Sequence, residues 1–332
     1  MHAAEKPTRS TRDRLRTIAQ LAFALAGVAA VAVLVRQVGA RTLFAIIGSA
    51  LPWMPVLLLL EAVRIFAELL GTRAVARLVT SADEQLDLGA WLRMHLVANA
   101  ALVVLPAGRA ICEGIKIVSI AAKVGAPRAA GIVVVQHGMS MLALGAISVP
   151  CAFAALLLQS KVLALVVAVH GALCFIGAFG LLFASRHASV PPFAAKWFVH
   201  APGAIATFRA TVGALPWFSP AAFGAKLLNR TVQVLQFTVL MIAVAGHVSG
   251  PTSFLAEGVN LVGSALGEFI PAQVGTIDGA FAYAAPQLGI TLAMAVGIAT
   301  LARLTQLVWS AVGALVPVII ARAGAISRVS RA

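Results

Sequence analysis

The sequence predicts an all-α polytopic membrane protein with about six full spans and two re-entrant helical hairpins in an inverted repeat; eight full spans is the alternative. Three observations carry this expectation. The first is composition: 61% of the 332 residues are hydrophobic, 11% are charged and the mean hydropathy is +0.98. The apolar runs are continuous and not alternating, which points to helices and not a barrel. The second is a repeated interruption. Pro106 is followed seven residues on by Glu113, and Pro271 seven residues on by Asp278, with Gly108 and Gly275 between. Hydrocarbon cannot hydrogen-bond the backbone groups that such breaks free, so both belong against other helices or a polar cavity. Two broken, acid-bearing segments at corresponding places in two halves mark the binding region of a transporter. The third is the placement of Lys and Arg, which fixes the order of the spans.

Residues 1–16 form a basic tail (Lys6, Arg9, Arg12, Arg14, Arg16) ahead of an apolar run at 17–35. That run has the length of a retained span and exceeds a signal-peptide core. The next apolar segment, 43–70, carries Glu61, Arg64 and Glu68 at spacings of three and four, hence on one helix face. Charges within a bilayer turn inward and pair, so these three read either as an ion-pair staple or as part of a substrate path. Arg73, Arg77 and Arg93 make the following loop cytoplasmic.

If 91–105 then crossed the membrane, Arg109, Lys116, Lys123 and Arg128 would all lie outside, against the positive-inside tendency. A hairpin entering from the cytoplasm and turning near Pro106 removes that conflict. Spans follow at 128–158 and 161–184. A Pro-rich stretch to Pro220 comes next, with Trp197, Phe198 and Trp217 at the interface. Lys226 and Arg230 open another span that ends near Gly246. The loop 246–253 and the block 254–289 hold no Lys or Arg, which fits a second hairpin dipping in from outside. A last helix over 290–320 returns to a basic tail, 321–332. The expectation is a single integral domain, 17–320, with repeat-like halves at 43–158 and 221–320 and both termini in the cytoplasm.

A net charge of +14 in a soluble protein would raise nucleic acid as a partner, but here the basic residues sit in loops and tails, where they set topology and meet anionic headgroups. No nucleic-acid partner is expected. No metal-ligand cluster, nucleophile elbow or Walker loop is present, so neither a cofactor nor an enzymatic activity is expected. Cys112, Cys151 and Cys174 read as small buried hydrophobes.

The candidate substrate-binding residues are Arg64, Arg109, Lys116, Arg303 and Gln273. Arginine and lysine supply a counter-charge for an anion, and the N-termini of broken helices add backbone amides. Glu61, Glu68, Glu113, Glu268 and Asp278 are candidates for proton coupling or gating. Pro106, Gly108, Pro271 and Gly275 are the hairpin breaks. The competing reading is that these charges neutralise one another and hold the hairpins in place. His137 reads as a core histidine beside Gln136, and Asn229, Gln233 and Gln236 as polar glue between helices. His170 and His247 receive no role.

At LPAGRAICEG (Pro106, Gly108, Glu113) and IPAQVGTID (Pro271, Gly275, Asp278), together with Arg303, the chain resembles the membrane region of lysylphosphatidylglycerol synthases. These are flippase-like integral membrane proteins that also occur as stand-alone members. The resemblance covers roughly residues 15–320. It departs where the family often carries Glu-Arg and this chain has Gln136-His137. Nothing in the chain resembles the soluble aminoacyl-transferring domain of the full-length synthases, so the resemblance implies lipid movement between leaflets and not lysine transfer. The expected function is a translocase of a polar-headed lipid in the bacterial inner membrane, with an anionic headgroup favoured by the cations. One alternative is a non-catalytic membrane subunit serving a lipid-synthesis or envelope enzyme, and another is an intramembrane lipid-modifying transferase. The expected partners are membrane lipid and either a second copy of the chain or a partner enzyme.

Overall fold

A computed structural model describes residues 29, 31–187 and 202–329. The basic N-terminal tail, most of the first expected span and the interfacial Trp197 and Phe198 lie outside those residues. Among the described residues the chain is all-α, with no strand. Helix α1 (Ala40–Ala50) runs through a 3-10 turn (Leu51–Trp53) into α2 (Met54–Ala76). Then come α3 (Leu88–Val104), α4 (Gly108–Val124), α5 (Ala126–Leu157), α6 (Lys161–His187) and α7 (Pro202–Ala214). The second half holds α8 (Pro220–Ala245), α9 (Gly250–Leu266), a 3-10 turn (Pro271–Gln273), α10 (Thr276–Ala284) and α11 (Leu292–Val329).

The boundaries follow local chemistry. The Asp87 carboxylate accepts from the Ala90 amide and opens α3. Ser219 caps α8, which Pro220 begins, and Ser249 with Thr252 forms a capping box on α9. Gly246, in the left-handed conformation at φ 76°, closes α8.

Five segments are long and apolar enough to cross a membrane: Ala40–Ala76, Ala126–Leu157, Lys161–His187, Pro220–Ala245 and Leu292–Pro317. The shortest of these, 26 residues, extends about 39 Å at the helical rise, more than the roughly 30 Å of a hydrocarbon core. Helices α3, α4 and α9 have 17 residues each and α10 has 9. They reach only about 25 Å and about 13 Å, too short to cross. About six spans are expected and five are found among the described residues, the first expected one lying mostly outside them; two pairs of shorter helices interrupt the series, and the chain is a polytopic membrane protein.

The two halves repeat one packing plan. Helices α2 and α8 pack on each other in the middle, α3 packs on α11, and α9 packs on α5. Exchanging α2, α3, α4 and α5 for α8, α9, α10 and α11 reproduces these contacts. The central pair runs antiparallel. Leu57 and Glu61 meet Gln236, the Arg64 carbonyl takes the Asn229 amide, Glu68 meets Lys226, and Gly71 lies on Ala222. Two equivalent helices pointing in opposite directions are what an inverted repeat requires.

Helices α5 and α6 form a close antiparallel pair because glycines admit neighbouring side chains, with Gly138 against Leu182, Gly145 against Phe175 and Gly171 against Ser148. Buried apolar residues such as Leu69, Ile132, Met139, Leu182, Phe237 and Phe281 fill the interior. Leu59, Leu165, Leu173, Ile176 and Phe179 are more than half exposed on the outside, where lipid tails replace water as the solvent.

Candidate functional site

Both hairpins turn by the same local device. Pro106 is followed by Ala107 at φ 54°, and Pro271 by Ala272 at φ 52°, each alanine left-handed. Gln273 adopts φ 51° as well, so three of the four non-glycine residues with positive φ among those described sit at the two breaks. A left-handed L-residue costs about 1–2 kcal/mol and persists only where packing imposes it. The glycines then divide the work. Gly108 is required by contact, since a Cβ there would enter the Leu102 carbonyl and separate α4 from α3. Gly275 is required by conformation, at φ 87° and ψ −36°.

The second hairpin is closed by its own charges. The Asp278 carboxylate accepts the Gly275 amide at 2.9 Å and caps α10. Arg303 of α11 reaches the same carboxylate at 2.6 Å and donates its Nε to the Ala272 carbonyl at 3.2 Å. Asp278 is fully buried, so this pair is desolvated on the acid side. The first hairpin is arranged differently. Ala107 offers α4 no side-chain cap. Glu113 meets Lys116 at 3.1 Å and His137 Nδ1 of α5 at 3.7 Å, while its other oxygen, Oε2, has no partner. Lys116 continues to Glu68 of α2 at 3.2 Å, and Glu68 also takes Lys226 of α8 at 2.5 Å. Arg109, in the first turn of α4, crosses to Glu268 at 3.2 Å and ties the two hairpins together.

Between the hairpins lies a cavity of about 390 Å³. Arg64 and Glu61 of α2, Arg109 of α4, Arg230 and Gln233 of α8, and Glu268, Ala272 and Gln273 of the second break all line it. A smaller chamber of about 100 Å³ adjoins it, sharing Glu61, Arg64, Asn99, Leu102, Arg109 and Arg230, and reaches Glu68, Glu113 and Lys116. The result is a polar interior that both tips face, inside an apolar exterior.

The structure brings most of the expected site residues to this space. Arg64, Arg109, Gln273, Glu61 and Glu268 line the main cavity, and Lys116, Glu68 and Glu113 line the smaller chamber. Arg303 and Asp278 line neither; they lock the second break. Glu61, Arg64 and Glu68 do not form one staple. Glu61 pairs with Arg64 at 2.7 Å, but Glu68 turns to the two lysines. Arg109, Glu113 and Lys116 share α4, yet Arg109 is committed to Glu268. Asn229 and Gln236 act as the expected glue, donating to the Arg64 carbonyl at 2.8 Å and to Glu61 at 2.9 Å.

Several residues were missed. Lys226 and Arg230 are read from the sequence only as opening a span, whereas Lys226 is 2% exposed within α8 and Arg230 faces the cavity. Their signal was periodic: Lys226, Asn229, Gln233 and Gln236 recur at helical spacing and mark one polar face. His170, assigned no role, lines the cavity with Nδ1 3.2 Å from Ser148 Oγ. Glu257 on α9 carried no spacing partner in the sequence and is fully buried. The three cysteines are free. Among the described residues no group of three or more His, Cys, Asp or Glu is placed to hold a metal ion.

No family model matches this chain, and neither a curated protein nor a solved structure matches it.

Proposed function

We propose that the chain is a lipid translocase of the inner membrane, with both termini in the cytoplasm, that moves a polar-headed anionic lipid between leaflets. The observation that carries this reading is the cavity of about 390 Å³ lined by Arg64 and Arg109 and by the tips of both hairpins. Its size falls within the roughly 300–1,000 Å³ of ordinary ligand pockets. A lipid headgroup needs a polar, charge-bearing interior, whereas its tails need none of it and remain beside the apolar exterior. Arginine suits phosphate by its planar fork of donors. The acids that face the same space, Glu61 and Glu268, already pair with those arginines, so a headgroup competes for the cations and is not held irreversibly. The inverted repeat supports the same reading, because two equivalent, oppositely directed halves give two equivalent access states.

The test is a leaflet assay. Purified protein in proteoliposomes with fluorescent phosphatidylglycerol is exposed to dithionite, which quenches only the outer leaflet. Wild type is expected to quench beyond the outer leaflet's share, and Arg64→Gln to fall back towards protein-free liposomes. Quenching no deeper than in protein-free liposomes, across several lipid classes and with a proton gradient, rejects the translocase in favour of a partner-subunit role.

A further inference from the structure

Six of the chain's eleven acids lie within the helical bundle and its breaks: Glu61, Glu68, Glu113, Glu257, Glu268 and Asp278. Five of them have a cationic side chain within 4 Å. Glu257 has none. Its Oε2 accepts from Asn260 Nδ2 at 3.4 Å, and its Oε1 has no partner, although the residue is 0% exposed. The arginines of the cavity show the complementary pattern. Arg64 and Arg109 hold carboxylates, but Arg230 bonds only to Gln233 of its own helix, at 2.9 Å. Among the described residues, neither Arg230 nor Glu257 belongs to an ion pair. An uncommitted cation thus stands on the cavity wall, and an uncommitted acid stands behind Asn260, which lines the same wall.

Two further donors on the shared wall of both chambers, Arg64 Nε and Asn99 Nδ2, are buried without an acceptor. A guanidinium with no carboxylate, beside two orphaned N–H groups, is matched by a ligand rich in acceptors and bearing negative charge. The charge inventory sets how much. Arg64 balances Glu61, Arg109 balances Glu268, and Lys116 with Lys226 balances Glu68 with Glu113. One positive charge is left on Arg230, and one negative charge is left for Glu257 when it is ionised.

We propose that Arg230 is the receptor for a singly charged phosphate group in the cavity and that Glu257 is the proton site that alternates with it. When the phosphate binds Arg230, a proton from the same side joins Glu257. When the phosphate leaves, Glu257 releases the proton, and its carboxylate compensates Arg230. One proton and one negative charge enter and leave together, so no net charge is transferred and no bond other than O–H is made or broken. The acids expected to do this from spacing alone are each held in an ion pair, whereas Glu257 titrates without breaking one. The titratable and charged groups on α2 and on the elements packed against α9 are committed or neutral in this exchange. Arg64 of α2 has Glu61, Cys151 of α5 lies against Gly258, His170 of α6 is held by Ser148, and Asp278 of α10 is closed by Arg303. This deepens the translocase reading by naming the headgroup chemistry and the coupling ion, and its test is separable from that reading.

The experiment is calorimetric titration of the full chain in detergent, with dioctanoyl phosphatidylglycerol in one arm and inorganic phosphate in the other. Two buffers of different ionisation enthalpy report protons taken up on binding. Wild type is expected to take up about one proton per ligand bound, as linkage between the two sites requires. Glu257→Gln, which keeps the shape, is expected to bind with no proton uptake. Arg230→Lys, which keeps the charge but loses the fork, is expected to bind about tenfold more weakly, and Arg230→Gln more weakly still. Proton uptake unchanged in Glu257→Gln, or affinity unchanged in Arg230→Gln, overturns the proposal. So does wild type that binds neither ligand or binds without protons, a result that stands even if a variant fails to fold. Binding of phosphate but not of the lipid leaves the Arg230–Glu257 exchange in place and removes the lipid translocase. Lipid binding with proton uptake, but no leaflet exchange in vesicles, separates the two in the same way.

Discussion

The two hairpins share a turn and differ in how their charges are spent. In the second, one buried acid does three things at once: Asp278 caps α10 through Gly275, pairs with Arg303, and so fixes the break whose Ala272 carbonyl Arg303 also holds. In the first, the acid at the same place, Glu113, shares Lys116 with Glu68, faces a histidine where its counterpart faces an arginine, and keeps one oxygen unpaired. The smaller polar chamber opens on this first hairpin and not on the Asp278–Arg303 lock. An equal pair of elements is thus finished unequally: the second hairpin locks its break with its own charges, the first leaves its acid partly open, and both line the main cavity.

The largest expected effect opens the lock on the second hairpin. Asp278→Asn leaves Arg303 buried without its anion and should cost about 3–5 kcal/mol, the usual loss when one member of a buried pair is removed. Thermal unfolding in detergent, followed by size-exclusion, checks it. Glu113→Gln should cost only about 1–2 kcal/mol in the same measurement, because Lys116 keeps Glu68. Equal losses would erase the distinction between the hairpins. Next come the glycines. Gly275→Ala should cost about 1–2 kcal/mol for the positive φ it needs. Gly108→Ala should cost at least as much, because backbone and not a flexible side chain stands in the way.

The smallest effect concerns the loop that leads into the first hairpin. Hydrogen bonds from Arg128, then from Ser81, lower Glu84 from an ordinary 4.5 to about 2. A lowered acid stabilises the loop above its unfolded value, and that contribution fades as the pH falls from 4.5 towards 2. Pepsin cleavage near Leu86 should therefore rise over that window in wild type more than in Glu84→Gln.

The sequence exposed the fold because membrane solvation is a strict rule. Long apolar runs span, breaks must be sheltered, and Lys and Arg mark the faces, so the order of spans and hairpins is legible from residues 40 to 320. The breaks themselves were legible down to Pro106 and Pro271, since a repeated Pro-x7-acid spacing is local. The pairing of charges was not. Glu68 meets Lys226 from 158 positions away, and Arg109 meets Glu268 from 159, distances at which no spacing rule operates. Glu257 was missed for the opposite reason: it sits in an unbroken apolar helix with no helical partner among the charged residues, and its isolation is itself the feature that matters.

Helix α3 touches two neighbours through bare backbone. Gly108 of α4 lies on the Leu102 carbonyl, and Gly313 of α11 lies on the Leu96 carbonyl. Contacts made by main chain leave no rotamers to rearrange, so α3 cannot roll or slide against either neighbour without losing them. These contacts tie α3 to the start of α4 and the middle of α11, and so join the first hairpin to the last helix of the opposite half. The pair α2 and α8 is joined differently, by amides and long ionic side chains.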